Sequence, residues 1–432
     1  MSFPRYPTYK DSGVEWLGEV PSHWNLKRLK HNVHLLTEKT DKQDCPVALE
    51  NIESWTGRFI QTETEFMGEG IAFNEDDILF GKLRPYLAKA YRAEFSGEAV
   101  GDFHVMRPAT GIDSRFVQYQ ILNREFIDIV DGSTFGSKMP RASWEFVGSM
   151  MVTTPPLPEQ TQIAAFLDRE TAKIDALVAE QRRLMALLKE KRQATISHAV
   201  TQGLNPDAPM KPSGIEWLGD VPAHWNAKRL RDVANLNPSK SEIAALERNS
   251  LVSFLPMSAI GEDGSLSFDF EKPIGELESG YTYFRDGDVA IAKITPCYEN
   301  GKGALMHGLT QGIGFGTTEL IVVRPKPERS CGEFLHFLFI STVFRNIGKS
   351  YMYGAGGQKR VPDDFVRNFA TGFPPAPEQV AIAAFLEAEL AKFDTLTAEA
   401  QRAIDLLRER RTALISAAVT GQIDVRAIAN SL

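Results

Sequence analysis

The sequence predicts an α+β fold: two globular mixed α/β domains joined by two long helices that pair as a coiled coil, the whole built as an internal repeat. Three observations carry this. The stretch SGVEWLGEVPSHWNLKRL at 12–29 returns as SGIEWLGDVPAHWNAKRL at 213–230, identical at 14 of 18 positions. A second stretch, opening PPLPEQTQIAAFLDRE at 155, returns as PPAPEQVAIAAFLEAE at 374. Between these repeated pieces lie two unlike inserts, 30–154 and 231–373. A period near 200 residues is too long for a solenoid. It describes a duplicated unit with a constant frame and a variable insert. The boundaries that follow are a first domain over 1–154, a central helix over 155–204, a second domain over 205–373 and a C-terminal helix over 374–432.

The inserts read as mixed α/β with many short strands. One strand is legible in each, in EDDILFGKLRPYLAKAY from Glu75 and DGDVAIAKITPCYENGK from Asp286. Asp77 aligns with Asp288, Lys82 with Lys293 and Pro85 with Pro296. A turn precedes, apolar residues follow and proline ends the strand. Period-2 geometry puts Ile78, Phe80, Lys82 and Arg84 on one face, presenting cations at a sheet rim. The acidic turn at Glu75–Asp77 reads as a strand cap.

Just before each long helix comes a small, Gly-rich turn followed by cations: GSTFGSKMPRASWEFV at 132–147 and YGAGGQKRVPDDFV at 353–366. Gly354, Gly356 and Gly357 let backbone approach a partner closely. Lys138, Arg141, Lys359 and Arg360 suit phosphates, and Gln358 suits the paired donor and acceptor of adenine. With Lys82, Arg84 and Lys293 they form the candidate binding set. The bland alternative is an exposed loop with incidental charge.

The repeated helices start at Pro–Glu, where proline loses no hydrogen bond and a carboxylate meets the helix dipole. Gly203 and Gly421 are stop signals. Each helix is expected to run about 42 residues, or roughly 60 Å. Apolar steps of three and four predict a seam through Ile163, Leu167, Ile174, Leu177, Leu184 and Leu188 in the first helix. The second seam takes Ile382, Leu386, Phe393, Leu396, Leu407 and Leu414. The tryptophans of the openings, Trp16, Trp24, Trp217 and Trp225, are expected to pack this frame.

The 432 residues, 43% hydrophobic and 24% charged, suit a soluble globular chain of several domains. No apolar run approaches the roughly 20 residues of a membrane helix. The first residues lack the apolar core of a secretory leader. Three scattered cysteines fit neither a disulfide framework nor a zinc site, which points to the reducing cytoplasm. No phosphate-binding GxxxxGK[ST], dinucleotide GxGxxG, HExxH or CxxC motif occurs. TPPL at 154–157 and FPPA at 373–376 lack the amide or acid and the aromatic of an adenine-methyltransferase motif. No catalytic constellation and no metal site is expected.

Together these residues resemble the DNA-specificity subunits of type I restriction–modification systems, over essentially the whole chain. The carriers are the W-L-G-x-V-P-x-H-W openings (Trp16–Leu29, Trp217–Leu230), the P-P-x-P-E-Q leads (Pro155–Gln160, Pro374–Gln379) and the ISHAVTQG end at Ile196–Gly203. The second copy departs slightly, reading ISAAVTGQ with Gly421 one place early. The resemblance implies that each insert is a target-recognition domain reading one half of an asymmetric, bipartite DNA site. The long helices would pack antiparallel as a spacer. The subunit would be non-catalytic and would bind two methyltransferase subunits that use S-adenosylmethionine. Two restriction subunits using ATP and Mg²⁺ could join them.

Charge is the objection to a DNA reader. The chain carries a net −8, and the inserts hold 13 Lys/Arg against 19 Asp/Glu and 15 against 17. Either the cations are gathered on one face, or much of the grip on DNA comes from partner subunits. The competing reading is a coiled-coil scaffold whose inserts bind proteins without DNA readout.

Overall fold

The computed structural model describes residues 3–42, 44–62, 68–134, 136, 138–355 and 357–426. The chain divides into two compact units, one of Met1–Arg182 with Gln401–Leu432, the other of Arg183–Ala400. Each therefore holds one insert with part of both long helices.

In the first unit, Tyr9–Asp11 pairs antiparallel with Glu19–Pro21. Asn25–Arg28 then pairs antiparallel with Met151–Thr154. The strand entering the insert thus lies beside the strand leaving it, so the insert is a closed excursion from the frame. Within it, one four-stranded sheet has the order Val33–Leu36, Phe103–Pro108, Ile78–Gly81, Ala90–Arg92. A second has the order Lys39–Thr40, Gly70–Phe73, Gly97–Val100, Pro46–Val47. Three short helices follow, Ser114–Ile121, Arg124–Gly132 and Trp144–Ser149. Each begins at a side-chain cap, with Asp113, Asn123 and Ser143 accepting from backbone N–H groups that the first turn leaves free.

The second unit repeats this plan. Met210–Pro212 pairs with Asp220–Pro222, and Asn226–Arg229 with Ala370–Phe373. One sheet runs Ala234–Leu236, Leu320–Pro325, Val289–Ala292, Gly303–Leu305; the other runs Glu271–Pro273, Leu251–Leu255, Ile313–Gly316, Thr282–Arg285. The central strands, Ile78–Gly81 and Val289–Ala292, are wholly buried and sit in equivalent places. The acid at the head of each makes a two-pronged bond to an arginine on the neighbouring strand. Arg107 donates to Asp77 at 2.8 and 2.7 Å, and Arg324 to Asp288 at 2.6 and 2.7 Å. Asp77 also accepts from Asn74 N–H and Asp288 from Arg285 N–H, so each caps its turn. The acidic turn is structural.

The strand itself stops earlier than expected. It ends at Gly81, and Arg84 turns left-handed at φ 51° before a tight turn at Pro85–Leu87. Lys82 and Arg84 therefore do not share a strand face with Ile78 and Phe80; the chain leaves the sheet between them.

The long helices run Leu157–Gln202 and Ala376–Val419. Gly203 and Gly421 follow at φ 78° and 77°, the left-handed conformation that ends a helix. In the first unit, Ile163, Phe166 and Leu167 near the start of the central helix pack on Leu414, Ile415, Ala418 and Val419 near the end of the C-terminal one. In the second unit, Leu188, Ile196 and Val200 pack on Ile382, Leu386, Leu390 and Phe393. Start against end in both cases makes the pairing antiparallel. Each such buried aliphatic side chain contributes about 1.5–3 kcal/mol.

The seam differs from the predicted one at three places. Leu177, Leu184 and Leu396 are exposed, at 52%, 42% and 44%. The buried or half-buried line of the central helix instead runs Thr171, Ile174, Val178, Gln181, Met185, Leu188, Arg192. In the C-terminal helix it runs Phe393, Thr397, Ala400, Ile404, Leu407, Arg411. The steps are still three and four. Several positions hold small or polar residues, so following leucines shifts the register by one residue onto the solvent face.

Candidate functional site

The repeated motifs meet each other. His23 of the first opening lies 2.9 Å from the carboxylate of Glu159, and His224 lies 2.7 Å from Glu378. Trp24 and Trp225 are fully buried beside them, and the Trp225 indole donates to Glu378 at 3.1 Å. The neighbouring glutamines tie the helix start to the insert. Gln160 accepts from Asp113 N–H at 3.0 Å and donates to Pro155 O at 2.8 Å. Gln379 accepts from Cys331 N–H at 3.2 Å and donates to Arg329 O and Pro374 O, each at 3.0 Å. Histidine, tryptophan, glutamate and glutamine are therefore joints of the frame. Trp16 meets Phe126 edge-on, and Trp217 stacks on Phe369, as packing residues do.

A second repeated constellation lies on the inserts. At the end of the first unit's central strand, Lys82 N–H donates to Asp102 O at 2.8 Å, and Ala142 N–H donates to Lys82 O at 2.9 Å. Three segments distant in sequence are stitched together there. The Arg141 guanidinium donates from Nε and Nη2 to the Asp102 carboxylate at 3.0 and 2.9 Å. The Lys82 ammonium stands 3.9 Å from the same carboxylate. In the second unit, Lys293 N–H donates to Glu319 O and Val361 N–H to Lys293 O, each at 2.9 Å. Arg360 donates from Nε and Nη2 to Glu319 at 2.9 and 2.7 Å. The Arg360 hydrogen bonds, with Lys293 close by, hold the Glu319 carboxyl below the usual carboxylate range despite partial burial.

So four of the eight candidates, Lys82, Arg141, Lys293 and Arg360, gather into two matching clusters. The others flank them. Lys138, Gln358 and Lys359 are exposed, and their side chains make no hydrogen bond or ion pair among the described residues. Arg84 is exposed on its left-handed turn, where its N–H donates to Pro140 O. Tyr353 and Arg360 pair as a bridge at the base of the glycine turn, with Gly354 and Gly357 at positive φ; Gly356 lies outside the described residues. Large apolar side chains are exposed on the segments that carry or adjoin the cluster residues, Tyr86 and Met139 in the first unit and Tyr351 and Tyr353 in the second. In the first unit the cluster also borders a cavity of about 520 Å³, lined by Leu35, Phe103, His104 and Trp144 among others. Burial there pushes the His104 imidazole pKa down.

Sequence reading missed the acids, Asp102 and Glu319. The signal was present: DFHVMRP at 102–108 and ELIVVRP at 319–325 align, with acid, arginine and proline in register. Among the described residues no group of three or more His, Cys, Asp or Glu side chains is placed to hold a metal ion. Nor is any described helix long and apolar enough to cross a membrane.

No protein-family model matches the chain. Two specificity subunits of type I restriction enzymes from Escherichia coli are similar to it. The EcoEI subunit is 41% identical over 164 residues, and the EcoAI subunit is 43% identical over 165. Either match covers 38% of this chain but only 27% of the relative, so the matched stretch spans about a quarter of those proteins. Likeness of fold extends further. A structure of a type I restriction–modification system component aligns with a TM-score of 0.63 at 17% identity, covering 93% of this chain and 98% of that one. The HsdS subunit from Thermoanaerobacter tengcongensis aligns with a TM-score of 0.52 at 18% identity, over 94% and 98%. The chain is thus similar in sequence to specificity subunits of type I restriction enzymes over about two fifths of its length, and shares the fold of the solved structures over nearly all of it.

Proposed function

We propose that the chain is the DNA-reading, non-catalytic subunit of a type I restriction–modification enzyme, with each unit reading one half of an asymmetric, interrupted site. The observation that carries this is the matching cationic cluster on two otherwise unlike inserts. In each, an arginine and a lysine are held at a sheet rim beside exposed glycine-rich turns and exposed aromatic or thioether side chains. Such surfaces suit nucleic acid, where cations meet phosphate and base edges and apolar groups meet base faces or thymine methyls. Because each cluster pairs its arginine with an acid, the charge objection is met by partner subunits that share the grip on DNA, with this chain supplying readout. The names of the relatives point the same way, and nothing specific favours the protein-scaffold reading.

In this proposal the frame carries the partners. Two methyltransferase subunits dock on the chain, and restriction subunits join them. S-adenosylmethionine, ATP and Mg²⁺ are bound by those partners. The exposed Lys138, Arg84, Gln358 and Lys359 supply phosphate and base contacts around the clusters.

The test is to map methylated adenines in DNA from cells carrying this chain with its methyltransferase. An asymmetric two-part motif is expected. Charge reversal at Lys359 and Arg360 should erase one half of that motif and leave the other half and subunit assembly intact. Loss of assembly, or both halves of the motif left unchanged, would refute the reading in favour of a scaffold.

A further inference from the structure

We infer that Arg141 and Arg360 each read a guanine, and that Asp102 and Glu319 are the positioning residues that aim them. This rests on the DNA-reading proposal and adds to it a base and a mechanism.

The argument starts from the donor inventory. A guanidinium has five N–H groups in a rigid plane. The bonds from Nε and Nη2 to the carboxylate use one edge of that plane and two donors. Three donors remain, one on Nη2 and two on Nη1. The outer pair, one from each terminal nitrogen, is parallel and spaced for two acceptors. In the major groove, guanine offers two such acceptors side by side, O6 and N7. Adenine offers one acceptor and one donor there, so the same edge meets a mismatch.

The acid does two things in this geometry. It fixes the plane of the guanidinium, so less side-chain freedom is lost when the base is met. It also neutralises the arginine, which weakens its pull toward any nearby phosphate. A free surface arginine binds backbone without regard to sequence; a paired one is left with a reading face whose value depends on hydrogen-bond geometry. The acid excess of both inserts is then a feature of readout by base edge.

An incidental surface ion pair is the competing explanation, since many such pairs contribute little. Two observations weigh against it. The pair recurs in both units at matching places, on inserts that differ elsewhere in length and composition. The loop that carries each arginine is pinned to the strand end on both sides of it. Arg84 N–H bonds Pro140 O and Ala142 N–H bonds Lys82 O, while Thr295 N–H bonds Lys359 O and Val361 N–H bonds Lys293 O. The arginines stay accessible, with side chains 48% and 37% exposed.

The experiment uses the assembled methyltransferase and the mapped motif. Arg141→Ala should relax one guanine position in one half-site, and Arg360→Ala one guanine position in the other. Discrimination at that position should fall by roughly 5- to 150-fold, the range for a two-bond arginine–guanine contact. Asp102→Asn and Glu319→Gln should relax the same positions by a smaller factor and raise binding to unrelated DNA. The undisturbed half-site serves as the internal control for folding. If an alanine variant methylates nothing, Arg141→Lys or Arg360→Lys carries the test, because lysine keeps the charge but not the paired donors. The inference is overturned if the relaxed position is not a G·C pair, or if the Asn and Gln variants match the parent there. A parent enzyme with no two-part motif would instead sink the DNA-reading proposal itself.

Discussion

Replacing Asp175 by alanine should destabilise the first unit far more than replacing Asp394 destabilises the second, although the two are repeat-equivalent. Each aspartate faces an arginine on the other long helix: Asp175 lies 3.4 Å from Arg411, and Asp394 is bonded to Arg192. Their surroundings differ. The Asp175 and Arg411 side chains are 12% and 10% exposed, whereas Asp394 is 67% exposed. Burial pushes the Arg411 pKa down, with the Asp175 charge opposing. Asp175 also bonds Arg58, so one carboxylate serves two guanidiniums. Without it, Arg411 keeps, among the described residues, only the Trp55 carbonyl as a hydrogen-bond partner, at 2.7 Å. Removing one partner of a buried pair costs about 3–5 kcal/mol, because the other charge stays buried and uncompensated. An exposed pair contributes about 0–1 kcal/mol.

Amide hydrogen exchange of the full chain resolves the two cases, since it reports local opening free energies segment by segment. Asp175→Ala should lower protection of the Gln401–Val419 segment by about 3 kcal/mol or more. Asp394→Ala should lower that of the Ala376–Ala400 segment by about 1 kcal/mol at most. Combining Asp175→Ala with Arg411→Met should restore most of the loss, because a flexible apolar side chain fills the arginine's place without a stranded charge. Equal costs at the two sites, or a double variant no better than Asp175→Ala, would refute the burial argument.

The His336 imidazole has its Nδ1 shut away from solvent and, among the described residues, without a hydrogen-bond partner, and burial pushes its pKa down to about 4. The unfolded chain, near the ordinary 6.5, then binds the proton more readily than the folded one. The second unit should lose roughly 3 kcal/mol as pH falls from about 6.5 to about 4, and His336→Gln should flatten that slope in urea titrations at each pH. Gly421→Ala should cost more than Gly203→Ala in the same titrations. Both residues need positive φ, but a methyl at 421 meets Pro21 at 2.4 Å whereas one at 203 finds its nearest neighbour at 3.3 Å. A cost of about 1 kcal/mol is expected from φ alone at either position.

The frame was legible in the sequence because duplication labels it. Comparing the copies singled out the openings, the P-E-Q leads and the terminal glycines, and each proves to be a joint or a stop. The seam register was less legible. Thr171, Gln181, Thr397 and Arg411 fill places where a search for leucines expects apolar residues, so the eye follows Leu177, Leu184 and Leu396 onto the solvent face. Strand-face geometry failed at Lys82 and Arg84 because a left-handed residue ends the period-2 pattern, and nothing in an arginine codon announces positive φ. Asp102 and Glu319 escaped for a different reason. Acids are common on any surface, and what marks these two is the arginine each meets from 39 and 41 residues away.

What the two units share also limits what can distinguish their half-sites. If both clusters present the same arginine edge to the same base, the difference between the halves must come from what flanks the clusters. Those flanks do differ. The first unit's arginine borders a cavity, with exposed Tyr86 and Met139 on neighbouring chain segments; the second has exposed Tyr351, Tyr353, Gln358 and Lys359 on the segment that carries its own. A thioether and an apolar recess suit a thymine methyl, whereas a glutamine suits adenine through paired bonds. Exchanging the clusters between inserts should therefore leave both half-sites nearly unchanged. Exchanging 132–142 for 353–361, which moves Met139 one way and Tyr353, Gln358 and Lys359 the other, should move part of the sequence preference with the transplanted segment.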